Sequence, residues 1–96
     1  MKISDILTDE SKWTRGVFAR NENDDPVDSL SKEAVKFCLI GAANRACYES
    51  NSSDVRSIDR LHQIVVKRGY TSVSMFNDAS DVTFSDILEV IKEADV

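Results

Sequence analysis

Proline and glycine are scarce in this chain, which has one proline and three glycines among its 96 residues. Because these two residues are the main breakers of regular structure, most of the chain is free to form helices and strands. The length alone predicts one domain, covering residues 1–96.

Long apolar runs are also lacking. No stretch approaches the roughly 20 apolar residues that a membrane-spanning helix needs. Asp5, Asp9 and Glu10 put acidic side chains where a secretory signal is basic and then apolar. We therefore expect a cytoplasmic protein with no membrane partner.

Cysteine and histidine are rare, and neither forms a recognisable metal-binding motif. The sequence has Cys38, Cys47 and His62 and no Cys-x-x-Cys pair, so we expect no metal site and no cofactor. The cysteines would lie on opposite faces of one predicted helix, about 13 Å apart along its axis. A disulfide needs Cα atoms within about 7 Å, so we expect free thiols, which suit a reducing compartment.

Basic residues are outnumbered, with 12 Lys and Arg against 17 Asp and Glu, and the net charge is −5. A duplex-DNA binder usually has a basic excess, because phosphate contacts supply much of its affinity. The charge therefore disfavours nucleic acid and is compatible with a protein partner of unknown identity. A homo-oligomer also stays open.

Helical periodicity appears in four segments, which run from Lys2 to Lys12, from Ser31 to Glu49, from a cap at Ser53 or Asp54 to Gly69, and from a cap at Thr83 onward. A loop over residues 50–53 separates the second from the third. Asp86 completes a weak capping box with Thr83. The glycine is placed to end the third helix in a left-handed conformation.

Extended residues and turn formers separate these segments. Val17 and Phe18 favour a strand, and residues 21–26 are rich in turn formers, which predicts a short β-hairpin. The segment from Tyr70 to Val82 predicts a short strand followed by turns. The expected fold is mainly α, a small orthogonal helical domain of about four helices with a short β-hairpin or extended edge segment.

The second helical segment is the predicted centre of the core, because residues 37–43 carry no charge. Leu39 should face the interior, and Cys38 should be a small core residue rather than a nucleophile. Gly41 lowers helix stability, so its expected use is the close approach of Trp13 or the hairpin.

Two other helices have predicted buried faces. In the third segment, His62 falls on the apolar side and is expected to be a boundary residue rather than a catalytic base. The last helix should bury the stripe Phe84, Ile87, Leu88 and Ile91.

No catalytic motif is present: the sequence lacks a phosphate loop, GxSxG, HExxH and a paired-carboxylate motif. The acidic loop at residues 21–25 resembles the start of a calcium loop, but Pro26 and Lys32 replace the required Gly and Glu. The remaining candidates for chemistry are Arg20, Cys38, Asn77 and Asp78, which would line a pocket beside the central helix.

Basic residues are concentrated on the third helix. Arg56, Arg60, Gln63 and Lys67 fall at i, i+4, i+7 and i+11, with Arg68 close by. This set is either an ordinary solvated face paired with Asp54 and Asp59, or a docking surface for an acidic partner or phosphate. The sequence leaves both readings open.

Three short sequence motifs follow one another in a recognisable order: residues 13–16 (WTRG) with Ala19 and Arg20, residues 37–42 (FCLIGA), and residues 76–78 (FND) followed by Thr83. Together they resemble a family of short uncharacterised bacterial and phage proteins, except that residues 79–82 replace a Pro-Gly turn. The resemblance supports the fold and supplies no reaction. It implies a phage or mobile-element origin, where small acidic proteins often bind host machinery.

Two functional hypotheses follow. The first is a non-enzymatic protein-interaction module, a phage or mobile-element modulator of a host or defence complex, which uses the basic residues of the third helix. The alternative is a small enzyme or ligand-binding domain with a pocket beside the central helix. Nucleic-acid binding ranks third, because of the acidic charge.

Overall fold

The structure, a computed structural model, describes residues 2–49 and 56–96. Helices contain 53% of the described residues, and a small three-stranded antiparallel sheet accompanies them. The helices are α1 (Ile3–Ile6), a 3-10 helix (Glu10–Lys12), α2 (Leu39–Glu49), α3 (Arg56–Lys67), α4 (Val73–Asp78) and α5 (Phe84–Ala94).

The first predicted helix, Lys2 to Lys12, is wrong in extent, because α1 ends after Ile6. Asp9 is extended, and its side chain accepts a hydrogen bond from the backbone N–H of Ser11 at 2.9 Å. This side-chain bond starts a separate 3-10 turn, since an Asp side chain competes with helical backbone bonding.

The sheet contains the predicted hairpin and one additional strand, but Val17 and Phe18, which the sequence predicts to form the first strand, lie in a bend before it. Its strands are β1 (Ala19–Arg20), β2 (Pro26–Val27) and β3 (Lys36–Phe37), in the order β2-β1-β3. In the hairpin turn, Asn21 Oδ1 accepts hydrogen bonds from the backbone of residues 23 and 25. The acidic loop is therefore a hairpin turn, as predicted.

The central helix begins at Leu39 rather than at Ser31. The side chains of Asp28 and Ser31 accept backbone hydrogen bonds two residues ahead, so this segment forms turns. Residues 36–37 then pair with β1. Cys38 consequently precedes α2, whereas Cys47 lies within it, and neither forms a disulfide.

Gly41 lies where the hairpin segment approaches α2. A Cβ at this position would overlap the backbone carbonyl of Phe18, which enters β1. The same carbonyl accepts a 3.1 Å hydrogen bond from the backbone N–H of Cys38. The predicted close approach at Gly41 is confirmed.

The predicted strand after Tyr70 is instead the helix α4. Ser72 caps it by accepting a 3.1 Å hydrogen bond from the backbone N–H of Met75. Val73, Phe76 and Asn77 are buried at i, i+3 and i+4, which is the period of a helix face. Burial of that face against the core outweighs the local pattern that suggested a strand.

The helix ends are partly as predicted. Gly69 has a φ of 97° after α3, and Thr83 forms a capping box with Asp86 at the start of α5. The predicted caps of α3, Ser53 and Asp54, and the loop at residues 50–53 lie outside the described residues.

The core lies where α2, α3, α4 and α5 pack together, with α1 against α2 and α5. Leu39 is fully buried, as predicted. On α5, Val90 is buried and Leu88 is 41% exposed, so the predicted stripe is wrong at Leu88. His62 is exposed and does not lie on the buried face of Leu61 and Val65.

Among residues 2–49 and 56–96, no helix combines the length and apolar character needed to cross a membrane.

Candidate functional site

Asn77, near the end of α4, joins three segments of the chain. Its side chain is 1% exposed. Oδ1 accepts hydrogen bonds from Trp13 Nε1 at 2.8 Å and from the backbone N–H of Leu39 at 3.1 Å. Nδ2 donates to the backbone carbonyl of Thr14 at 3.1 Å and to Asp78 Oδ1 at 3.0 Å. The amide therefore makes two bonds as an acceptor and two as a donor, its full usual complement.

Asp78 continues this network at the protein surface. Its Oδ1 accepts a 2.9 Å hydrogen bond from the backbone N–H of Gly16. Gly16 has a φ of 82°, a conformation that residues with a Cβ rarely adopt. The carboxylate therefore fixes the loop that leads into β1.

Cys38 is buried next to this network. Its Sγ accepts a 3.3 Å hydrogen bond from the backbone N–H of Gly41. Burial raises the pKa of the Cys38 thiol, and the nearby charge of Asp78 raises it further, while backbone hydrogen bonds oppose the shift. The raised pKa favours the protonated thiol, which is a poor nucleophile.

A cleft of about 200 Å³ opens at this point. Three of the four residues of the predicted pocket, Cys38, Asn77 and Asp78, line it together with residues 16–18 and Ser74. Among the described lining residues, the Asp78 carboxylate is the one charged side chain. The described lining therefore offers an acidic, weakly polar recess without a basic group.

Arg20, the fourth predicted pocket residue, does not line the cleft. Its Nε donates to Thr14 Oγ1 at 2.8 Å, and Nη1 donates to the backbone carbonyl of Asp24 at 2.8 Å. Nη2 is 3.4 Å from the carbonyl oxygen of Arg15. These bonds hold the hairpin turn against the loop before β1.

A second recess is larger and mainly apolar. This apolar groove, of about 520 Å³, is lined by Phe18, Asp28, Ser29, Leu30, Asn44, Cys47, Tyr48 and Ile58. Phe18, Leu30 and Tyr48 are 55%, 43% and 62% exposed. Sequence reasoning missed the groove, because these three residues belong to different elements and share no periodic pattern.

The predicted basic set lies on the outer side of α3. Arg56, Arg60, Gln63 and Lys67, here named the basic strip, are all exposed. The buried residues Leu61 and Val65 face the other way. The strip is therefore positioned to meet a partner without rearrangement of the core.

Arg68 leaves the line of the basic strip and turns toward α5. Its Nη1 lies 3.6 Å from Glu89 Oε2, and its Nη2 lies 3.4 Å from Glu93 Oε2. The guanidinium therefore joins α3 to two carboxylates one turn apart on α5.

In the part of the chain that the structure describes, no three His, Cys, Asp or Glu side chains are grouped so that they could hold a metal ion.

The motif residues that carried the resemblance meet in space. Trp13 bonds to Asn77, Gly16 bonds to Asp78, and Gly41 contacts Phe18, which precedes the motif residue Ala19. Comparison with curated proteins and with solved structures finds no match to the chain. A family model described as a family of unknown function (DUF6197) matches residues 2–95. Since this match covers nearly the whole sequence, the chain belongs to that family of unknown function.

Proposed function

We propose that this chain is a non-enzymatic protein-interaction module. The observation that carries the proposal is the bonding of Asn77, the buried polar residue beside the cleft. Both of its oxygen bonds and both of its nitrogen bonds go to other parts of the protein. A group that binds substrate or moves a proton needs a hydrogen-bond donor or acceptor that is available to the cleft. All of the donors and acceptors of the Asn77 side chain are already bonded to other parts of the protein.

Cys38 supports the same conclusion. A catalytic thiol needs a lowered pKa and an electropositive neighbour, and burial and Asp78 instead raise the pKa of Cys38. Among the described residues, every buried side-chain nitrogen and oxygen has a hydrogen-bond partner. Buried polar atoms without a hydrogen-bond partner often mark a catalytic site, and the described part of the chain has none among its side chains.

Two exposed surfaces support protein binding. The basic strip projects positive charge from a protein whose net charge is −5. The apolar groove gathers three large exposed hydrophobic side chains in one place. Exposed apolar patches that are grouped rather than scattered are typical of interaction sites.

The finer form of the proposal is a phage or mobile-element modulator that binds a host or defence complex in the cytoplasm. It is supported by the small size and acidity of the chain and by the motif resemblance given above. In this form, the basic strip contacts an acidic protein, with Arg68, which pairs with Glu89 and Glu93 of α5, at its edge. Nucleic acid and membranes are not partners.

Photocrosslinking in cells tests the proposal. A photoreactive amino acid is placed singly at Gln63 in the basic strip, at Tyr48 in the groove, and at Glu22 in the hairpin turn as a control. We expect the crosslinker at Gln63 or at Tyr48 to capture one discrete protein that the crosslinker at Glu22 does not capture. The captured protein should also bind the purified chain. No partner from any position, with all three variants folded, would contradict the proposal.

A second candidate function is a small enzyme or ligand-binding domain, and the observation in its favour is that Cys38, Asn77 and Asp78 do line one cleft. A metabolite screen by NMR tests it, using Ser74→Phe to fill the mouth of the cleft and the exposed neighbour Met75→Phe as the control. A metabolite that shifts the Cys38 and Asp78 signals, and is lost only with Ser74→Phe, would favour this second function.

A further inference from the structure

We infer that the basic strip of α3 receives an acidic helix of a partner protein, with carboxylates spaced one turn apart. This inference rests on the proposed function and adds the secondary structure and the charge spacing of the partner's contact segment. The strip spans 11 residues, or about 16 Å at 1.5 Å per residue, which is about three turns of helix. A partner helix of similar length lying along α3 would match this spacing.

The protein already contains one contact of this kind. Arg68 lies between Glu89 and Glu93, which are four residues apart on α5, at 3.6 and 3.4 Å. α5 packs against α3 on the buried side of that helix. A carboxylate pair at i, i+4 thus already contacts a guanidinium at the end of α3. The strip repeats cationic groups on the opposite, exposed side of the helix.

The rim of the strip favours a protein over a nucleic acid. Asp59 is exposed and falls at the edge of the strip by helical angle, as does Val66, which is 48% exposed. A helix can place carboxylates on the strip, an apolar side chain on Val66 and a neutral residue against Asp59. A nucleic-acid backbone carries a negative charge at every phosphate, so Asp59 and the net charge of −5 both repel it.

Two peptides of identical composition test the inference. In the aligned peptide, glutamates occupy i, i+4, i+7 and i+11 of a stabilised helix, and in the scrambled peptide they surround the helix. A single-stranded oligonucleotide of equal charge is the third probe. Binding to the ¹⁵N-labelled protein is followed by NMR, which detects weak contacts.

We expect the aligned peptide to shift amide signals along α3 and to bind roughly five- to tenfold more tightly than the scrambled peptide, because only the aligned peptide places its carboxylates together along the strip. The preference should shrink at high salt. Equal affinity for both peptides, shifts outside α3, or tighter binding of the oligonucleotide would overturn the inference.

Charge-matched variants complete the test. Arg60→Glu with Lys67→Glu should abolish the aligned-peptide shifts. Lys12→Glu with Lys92→Glu makes the same change in net charge at exposed sites elsewhere, and should retain them. If both double variants lost the peptide shifts equally, the effect would come from net charge alone, and the strip would not be the binding site.

Failure here is distinguishable from failure of the proposed function. If a crosslinked cellular partner binds the strip variant and the wild type equally, the acidic-helix inference is wrong and the interaction function stands through another surface. If no position crosslinks to a partner, the proposed function itself is wrong.

Discussion

Trp13 Nε1 donates a 2.8 Å hydrogen bond to Oδ1 of Asn77, a residue 64 positions later in the chain. The same oxygen accepts the first backbone N–H of α2, at Leu39. One side chain thus fixes the loop before the sheet, the start of the central helix and the end of α4. This arrangement explains why a buried polar residue stands beside the cleft in a protein with no catalytic motif.

Replacement of Asn77 by alanine should strongly destabilise the fold. The change leaves the donors of Trp13 and Leu39 and the carbonyl of Thr14 without partners, and each unpaired buried group costs about 1–3 kcal/mol. We expect a loss of at least about 3 kcal/mol in urea denaturation. Asn44→Ala, an exposed change on α2, is the control and should stay within about 0.5 kcal/mol. A similar small loss for Asn77→Ala would show that its bonds do not hold the fold.

Leu39→Ala tests the position of the core. Leu39, the first residue of α2, is fully buried, so truncation should lower the free energy of unfolding by about 2–5 kcal/mol. Leu88→Ala is the matched control, because Leu88 is 41% exposed on α5 and surface changes usually fall within about 0.5 kcal/mol. Equal losses for the two leucines would contradict the packing described above.

Gly41→Ala tests the close approach of Phe18. Alanine is favoured over glycine in a helix interior by about 1 kcal/mol, so a gain in stability is the default expectation. Here the new Cβ overlaps the carbonyl of Phe18, and overpacking of this kind typically costs about 1–3 kcal/mol. We expect net destabilisation in urea melts. A stabilised variant would mean that the hairpin does not pack on α2 at this point.

Cys38 should react slowly with a thiol reagent in the native state and much faster in denaturant. A Cys47→Ser background isolates its signal. Because the pKa of Cys38 is raised in the folded protein, its contribution to stability is present below the ordinary thiol pKa. That contribution is lost as the pH rises above this value, where the unfolded thiol ionises first. Native labelling as fast as that of an unfolded thiol would restore a reactive role for Cys38.

The parts of the fold that local chemistry controls were predictable from the sequence. Thr83 caps the start of α5 and Gly69 follows the end of α3, at the positions that capping rules predict. The turn that begins at Asn21 forms the hairpin. The stretch around Leu39 is buried because it lacks charge. These features depend on neighbours within a few residues.

The parts that depend on distant contacts were not predictable. β3 forms because Phe37 pairs with Ala19, and α4 forms because its apolar face packs on the core. The role of Asn77 depends on Trp13, and the apolar groove depends on how Phe18, Leu30 and Tyr48 meet. Cys38, Asn77 and Asp78, which the sequence analysis grouped, lie together along one cleft, but Arg20 does not. No local pattern reveals the bonds of Arg20 within the hairpin region.

The central claim is that the protein acts by binding a partner through the basic strip. The most direct measurement compares the dissociation constant of the purified crosslinked partner for the wild type and for the triple variant Arg56→Glu, Arg60→Glu and Lys67→Glu, at low and high salt. The account predicts an almost unchanged melting curve, since these side chains are exposed. It also predicts a large loss of affinity that high salt reproduces in the wild type. Equal affinity of the two proteins at both salt concentrations would contradict the claim.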